Sequence, residues 1–358
     1  VLGVAHILGL LLAIFGVAYL LPVGCSIFTG DGLWPQFFIG AAINSGVGVA
    51  IALATLKYRR ELKARDGFLL VTLVWVLMSA FATIPLLLAL PQLTFTQAFF
   101  ETMSGLTTTG STVLTGLDHL PPSLNFWRAS LQWFGGLGII VMALAVLPLL
   151  GVGGMQLYKA EAPGPIKDEK LAPRITETAK SLWLVYATLT GAAILSLRLC
   201  GMSWFDAICH SFSVVGLGGF STHDASIAYF NSPAIELVLI VFMFIASLNF
   251  ARHFIAWRRL SLQTYTQDPE FKAIFIILSV SVVVIAALLT WHGVYPTFFT
   301  SLRHSAFNVV SIATTTGFVT RDYAAWPVFA PIWMLFLSCI VCSTGSTGGG
   351  VKMFRTLL

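Results

Sequence analysis

Three short polar stretches in an otherwise apolar chain hold the residues whose types and spacing could do chemistry. Thr107-Thr108-Thr109-Gly110 recurs as Thr314-Thr315-Thr316-Gly317, and Gly216-Leu217-Gly218-Gly219 lies between them. Aligning Gly110, Gly219 and Gly317 also aligns Ser104, Ser213 and Ser311 upstream. Repetition at a near-constant interval implies similar units assembled together. Glycine takes φ > 0 without steric penalty. A backbone that alternates unusual conformations can turn successive carbonyl oxygens toward one axis, where such rings replace the hydration shell of an ion. Threonine hydroxyls can add oxygens or hold the loop in place. No carboxylate lies inside the three loops. Uncharged coordination suits a weakly hydrated monovalent ion such as K⁺ better than Ca²⁺ or Mg²⁺, whose sites recruit carboxylates.

The elements that must position these loops are membrane helices. Only 10% of the residues are charged and 57% are hydrophobic, against about 25% charged in ordinary soluble domains, so a soluble globular fold is excluded. Stretches near the ~20 apolar residues needed to cross the hydrocarbon core run over 2–27, 35–56, 68–90, 126–150, 182–202, 233–256, 271–292 and 327–342. Lys and Arg in short loops stay on the cytoplasmic side. Of the 20 basic residues, all but Arg128, Arg198, Arg303 and Arg321 fall in the loops after the second, fourth and sixth stretches or at the end of the chain. The N-terminus is therefore expected inside, and the net charge of +5 reflects topology rather than affinity for nucleic acid.

Each polar stretch follows an apolar segment too short to span: Thr94 to Leu106, Trp204 to Val215 and Thr297 to Ala313. The order helix, half-helix, loop, helix is written three times, which favours re-entrant loops over interfacial helices. Nonhelical backbone at membrane depth survives only when buried in protein or lining water. A half-helix descending from outside presents its partial negative C-terminal charge to the loop, which favours a cation. Glu101, Asp206, Asp224, Glu236 and Asp322 are expected near the outer mouth, mainly as solvated surface charge. Cys339 and Cys342 form a C-x-x-C that reads as two small apolar residues on one helix face rather than a redox pair.

A fourth polar stretch, Ser343, Thr344, Gly345, Ser346, Thr347, Gly348, Gly349 and Gly350, interrupts the last apolar run. Such residues do not sustain a helix, yet they pack closely and rearrange at low cost. A plain glycine-capped helix end is the alternative. The glycines are followed by Val351 and Lys352 rather than by the Lys-Ser/Thr of a phosphate-binding loop.

With these motifs, the chain resembles the Trk/Ktr/HKT superfamily of potassium transporters, in its TrkH branch. The resemblance implies an all-α membrane protein of repeated helix, pore-helix, filter-loop, helix units similar to K⁺ channel subunits. It implies a selectivity filter at Thr108, Thr109, Gly110 and Ser111; at Leu217, Gly218, Gly219 and Phe220; and at Thr315, Thr316, Gly317 and Phe318. Residues 343–350 become an intramembrane gate loop. The expected organisation is an extra helical pair and basic linker at 1–66, then pore repeats at 67–180, 181–270 and 271–358, with the family's fourth repeat not contained in this sequence. Expected partners are a second copy in a homodimer, membrane lipid and a cytosolic ring of nucleotide-binding RCK-type subunits docking on basic loops such as 156–180. No cofactor is expected beyond transported K⁺, and the expected location is the bacterial inner membrane. Na⁺-permeable or ion-coupled K⁺ transport is the alternative within this class. An intramembrane hydrolase using Ser346 with a histidine is the alternative outside it, disfavoured because His210 and His304 lie on outer half-helices.

Overall fold

In the computed structural model, residues 2–58, 64–146 and 175–358 are described, and all regular elements among them are helical. An N-terminal hairpin comes first: α1 (Leu2–Ala18), α2 (Leu20–Thr29) and α3 (Trp34–Ala54). Pro22 has no N–H to give to the carbonyl of Ala18, and there the first span breaks into α1 and α2. Small residues let α1 and α3 touch backbone to backbone, since a Cβ on Gly9 would sit 2.7 Å from Gly48 O and Ala52 N.

The first repeat follows as α4 (Ala64–Ala82), α5 (Ile84–Ala89), the half-helix α6 (Phe95–Leu106) and α7 (Pro122–Val146). The second comprises α8 (Ile175–Leu199), the half-helix α9 (Trp204–Gly216), α10 (Pro233–Ala246) and α11 (Phe250–Arg259). After α12 (Gln263–Thr266), the third runs through α13 (Pro269–Trp291), the half-helix α14 (Phe298–Ala313), α15 (Phe329–Ile340) and α16 (Met353–Leu357). Each half-helix starts at a hydroxyl N-cap, with Thr94, Ser203 and Thr297 accepting from the backbone N–H of Gln97, Asp206 and Thr300.

Helices over Leu2–Thr29, Trp34–Ala54, Arg65–Ala89, Lys180–Leu199 and Pro269–Trp291 are long and apolar enough to cross a membrane. Large apolar side chains such as Ile14, Phe28, Leu53, Leu199, Leu237 and Leu335 face outward. This is the surface of a protein solvated by hydrocarbon.

Two of the expected spans differ. The run 233–256 is not one helix, because α10 and α11 meet at 98°. Asn249 caps α11 through Ala251 N–H at 2.9 Å, and the backbone groups freed at the break are taken by the polar stretch of the third repeat: Ser343 N–H donates to Ser247 O at 2.9 Å and Phe250 N–H donates to Gly345 O at 3.1 Å. The run 327–342 yields only the 12 residues of α15, about 18 Å of helix against the ~30 Å of hydrocarbon. A smaller difference is that α7 begins at Pro122 rather than near 126, since proline is preorganised for the first helical turn. The expected docking loop lies mostly within 147–174, outside the described residues.

Candidate functional site

Each half-helix leaves through the same backbone figure. Thr108, Leu217 and Thr315 adopt left-handed conformations with φ of 56°, 53° and 61°, and Gly110, Gly219 and Gly317, two residues on, have φ of 80°, 80° and 87°. The amides between them turn back onto the half-helix: Thr109 N–H to Ser104 O at 2.8 Å, Gly218 N–H to Ser213 O at 2.9 Å and Thr316 N–H to Ser311 O at 2.8 Å. The constant offset of the three serines therefore marks a backbone acceptor. Among their hydroxyls, that of Ser311 donates to Phe318 O at 2.7 Å.

The loops lie side by side. A Cβ added to Gly110 would overlap the carbonyl oxygen of Gly218, and one added to Gly219 would overlap that of Thr316, whereas Gly317 has open space at the same position. Glycine is thus required twice over at Gly110 and Gly219, by φ and by the neighbouring carbonyl, and at Gly317 by φ alone. The carbonyls of Gly218 and Phe318 are turned into protein, onto Gln132 and Ser311. Those of Thr108, Gly110, Leu217, Gly219, Thr315 and Gly317 accept no hydrogen bond among the described residues. Backbone acceptors are rarely left unpaired in folded proteins, yet here they recur in three adjacent loops, and the carbonyls of Thr109 and Thr316 between them accept no hydrogen bond among the described residues either. Water or a cation would complete them.

What holds the loops was not legible beforehand. Glu101, His210 and Asn308 stand at one common offset before Gly110, Gly219 and Gly317, and each reaches across to the segment leaving its own loop. Glu101 accepts from Thr112 Oγ1 at 2.9 Å and Val113 N–H at 3.0 Å, His210 Nε2 bonds Ser221 Oγ at 2.9 Å, and Asn308 bonds Thr320 through both amide atoms at 3.1 and 3.3 Å. The three side chains share a job but no chemistry, so only alignment on the glycines reveals them. Thr107 and Thr314 hydroxyls bond those of Thr109 and Thr316, each at 2.8 Å.

The expected surface carboxylates are structural. Glu101 is 1% exposed and pairs at 2.8 Å with Arg128, which also donates to Asn125 and to Ser221 O and lies over the Phe220 ring. Glu236 makes a two-pronged pair with Arg303. Asp206 accepts from Thr222 and Ser203, Asp224 from the amides of Gly116 and Leu117, and Asp322 from Ala324 N–H. In the loop between α6 and α7, the hydrogen bond from His223 holds the Asp118 carboxyl below the usual carboxylate range.

Beneath the second and third loops lies the polar stretch 343–350. Thr347 Oγ1 donates to Val215 O at 3.1 Å, at the end of α9, and Gly349 N–H donates to Thr315 Oγ1 at 3.0 Å. Ser343 Oγ and the Thr344 amide donate to the buried carboxylate of Glu270. Gly345 and Gly350 have φ of 79° and 88°, the Gly345 side faces Asn249, and Gly348 leaves no room for a side chain beside Cys342. Val351 N–H donates to Cys339 O at 2.7 Å, which returns the chain to the end of α15.

Comparison with known proteins decides the family. The family model of the TrkH cation transport proteins matches residues 34–358. The chain belongs to the TrkH family. It is 48% identical to the Trk system potassium uptake protein TrkH of Halomonas elongata and 46% identical to that of Escherichia coli K12, in both cases over 99% of this chain and 74% of the relative. The crystal structure of the potassium transporter TrkH from Vibrio parahaemolyticus superimposes with a TM-score of 0.90 at 42% identity, covering 99% of this chain and 73% of that one.

As a member of the TrkH family the chain is a membrane transport protein and not an enzyme. The hydrolase alternative has no geometry either: the Ser346 hydroxyl donates to Ser343 O at 2.7 Å, and His210 is spent on Asp206 O and Ser221. The buried pair offers a first test. Arg128→Met leaves Glu101 charged and unpaired, an uncompensated buried charge worth about 3–5 kcal/mol. A marked fall in the thermal unfolding midpoint of the detergent-solubilised protein is expected, and an unchanged midpoint would remove the pair from the scaffold of the loops.

Proposed function

We propose that this chain takes up K⁺ across the cytoplasmic membrane through a filter formed by Thr108–Ser111, Leu217–Phe220 and Thr315–Phe318. The observation that carries the reading is the set of carbonyls that accept no hydrogen bond among the described residues, repeated in three loops packed against one another at their glycines. Relatives named as Trk system potassium uptake proteins give it its ion. The organisation follows: a helical pair and linker at 1–66, with pore repeats at 67–180, 181–270 and 271–358. A fourth loop of the same kind beside Gly317 completes the ring. Residues 343–350, packed under the second and third loops, act as the gate.

The distribution of Lys and Arg supports a cytoplasmic N-terminus in the inner membrane of a bacterium. The name "Trk system" fits a protein that works with other subunits. We assign these as a homodimeric mate and a cytosolic nucleotide-binding ring of RCK type, with membrane lipid around the helices and neither nucleic acid nor a cofactor involved.

Uptake of ⁸⁶Rb⁺ into cells lacking their own K⁺ uptake, with the full-length protein expressed, tests the reading. Rb⁺ uptake is expected to be displaced by K⁺ at much lower concentration than by Na⁺. Equal displacement by both ions would replace the reading with a Na⁺-permeable or coupled transporter. Uptake that survives bulky residues at Gly110, Gly219 and Gly317 together would remove the filter altogether.

A further inference from the structure

The three loops are not braced alike. In the first and third, a pair of threonine hydroxyls ties the turn to its own half-helix: Thr107 Oγ1 donates to Met103 O at 2.7 Å and bonds Thr109, while Thr314 Oγ1 donates to Val310 O at 2.8 Å and bonds Thr316. The second loop has Gly216 and Gly218 at those positions and no hydroxyl. Its brace comes from another repeat. Gln132, on α7 and fully buried, donates through Nε2 to Gly218 O at 2.7 Å and accepts through Oε1 from Phe220 N–H at 3.1 Å.

These two bonds fall on either side of Gly219, so one rigid amide plane fixes the backbone entering and leaving the glycine with φ of 80°. The same amide fills the space that a threonine would need. The nearest atoms to a Cβ built on Gly218 all belong to the Gln132 amide, with Nε2 and Oε1 each 2.6 Å away, and a Cβ on Gly216 would lie 2.7 Å from Gln132 O. Gly218 has no positive φ, so its lack of a side chain answers to this contact and not to its own conformation. Gly218 and Gln132 are a matched pair.

We propose that Gln132 is a positioning residue for ion selectivity, replacing in the second loop the threonine brace of the first and third. It couples the loop of one repeat to the helix of the preceding one. Without it, Leu217 and Gly219 carbonyls lose their fixed spacing, and the site accepts a smaller, more strongly hydrated ion. The inference rests on the reading of these loops as the filter.

The test uses the full-length protein in liposomes and reads the permeability ratio of Rb⁺ to Na⁺. Gln132→Met keeps length and volume but loses both hydrogen bonds. The ratio is expected to fall about tenfold, the scale of a lost buried hydrogen bond, while Rb⁺ still permeates. Gly218→Thr alone is expected to block flux by collision with the amide, and Gly218→Thr combined with Gln132→Ala is expected to recover it, a non-additivity diagnostic of direct contact. Gly219→Ala is the control on the filter itself. A wild-type ratio in Gln132→Met, with Gly219→Ala altered, overturns the role of Gln132 and leaves the filter standing. An unaltered Gly219→Ala overturns both. Should Gln132→Met fail to reach the membrane, the Gly218→Thr pair decides: equal flux with and without Gln132→Ala rejects the proposal.

Discussion

Replacing Gly219 with alanine is expected to abolish selective K⁺ uptake. At φ of 80° an L-residue is strained by about 1–2 kcal/mol. The larger effect is steric: the new methyl group overlaps the carbonyl oxygen of Thr316, which is backbone and cannot swing aside. The third loop must therefore retreat from the second, at a cost of about 1–3 kcal/mol typical of overpacking. Together these amount to a loss of roughly a hundredfold or more in Rb⁺ uptake at limiting external concentration. Gly110→Ala meets the Gly218 oxygen in the same way and is expected to match it. The measurement is initial ⁸⁶Rb⁺ uptake against surface abundance of each variant, with Na⁺ uptake recorded in parallel. Normal discrimination between Rb⁺ and Na⁺ in both variants would sink the reading of these glycines as filter residues.

The half-helices and their loops were legible because their signals are local. Thr94, Ser203 and Thr297 are hydroxyl caps next to apolar runs, and glycine two residues after a left-handed turn stops each run. The expected segments 94–106, 204–215 and 297–313 coincide with α6, α9 and α14 to within a residue or so. The break at Ser247–Asn249 was not legible, since the run around it is apolar and its exposed backbone is satisfied by residues almost a hundred positions away. Nothing in a window around Leu248 records that partner. The same reason hid Gln132, whose importance lies in Gly218 and Phe220.

The carboxylates show a different failure. Composition says that an acidic residue near a membrane surface is usually solvated, yet Glu101 and Glu236 are buried against Arg128 and Arg303. Both pairs join a half-helix to another helix, α6 to α7 and α14 to α10. Half-helices with polar ends at membrane depth need partners that lipid does not supply, and an arginine fork meets a carboxylate and several carbonyls at once. Two of the four basic residues assigned outside by topology are thereby explained, since they hold the loops rather than mark the cytoplasm.

The second large expected effect concerns the stretch 343–350, which Glu270 holds in place. This carboxylate is 6% exposed at the start of α13, where a helix N-terminus favours negative charge. It accepts from the Ser343 hydroxyl and from Thr344 N–H at 3.1 Å. Asp268 caps the Glu270 amide at 3.2 Å and pairs with Arg252 of α11 at 2.8 Å, so the latch is anchored to the second half of the broken sixth span. Glu270→Ala leaves a hydroxyl and an amide without partners, which weakens the seated position by about 1–3 kcal/mol. A two-state loop biased by that amount shifts its populations by roughly tenfold. Because Thr347 and Gly349 bond Val215 O at the end of α9 and Thr315 Oγ1 in the third loop, release of the stretch is expected to raise basal Rb⁺ efflux from liposomes about tenfold with no regulatory subunit present. Glu270→Gln keeps one acceptor oxygen and is expected to fall between wild type and Glu270→Ala. Basal flux unchanged in Glu270→Ala, with protein abundance equal, would show that the loop is held by its contacts with the filter alone.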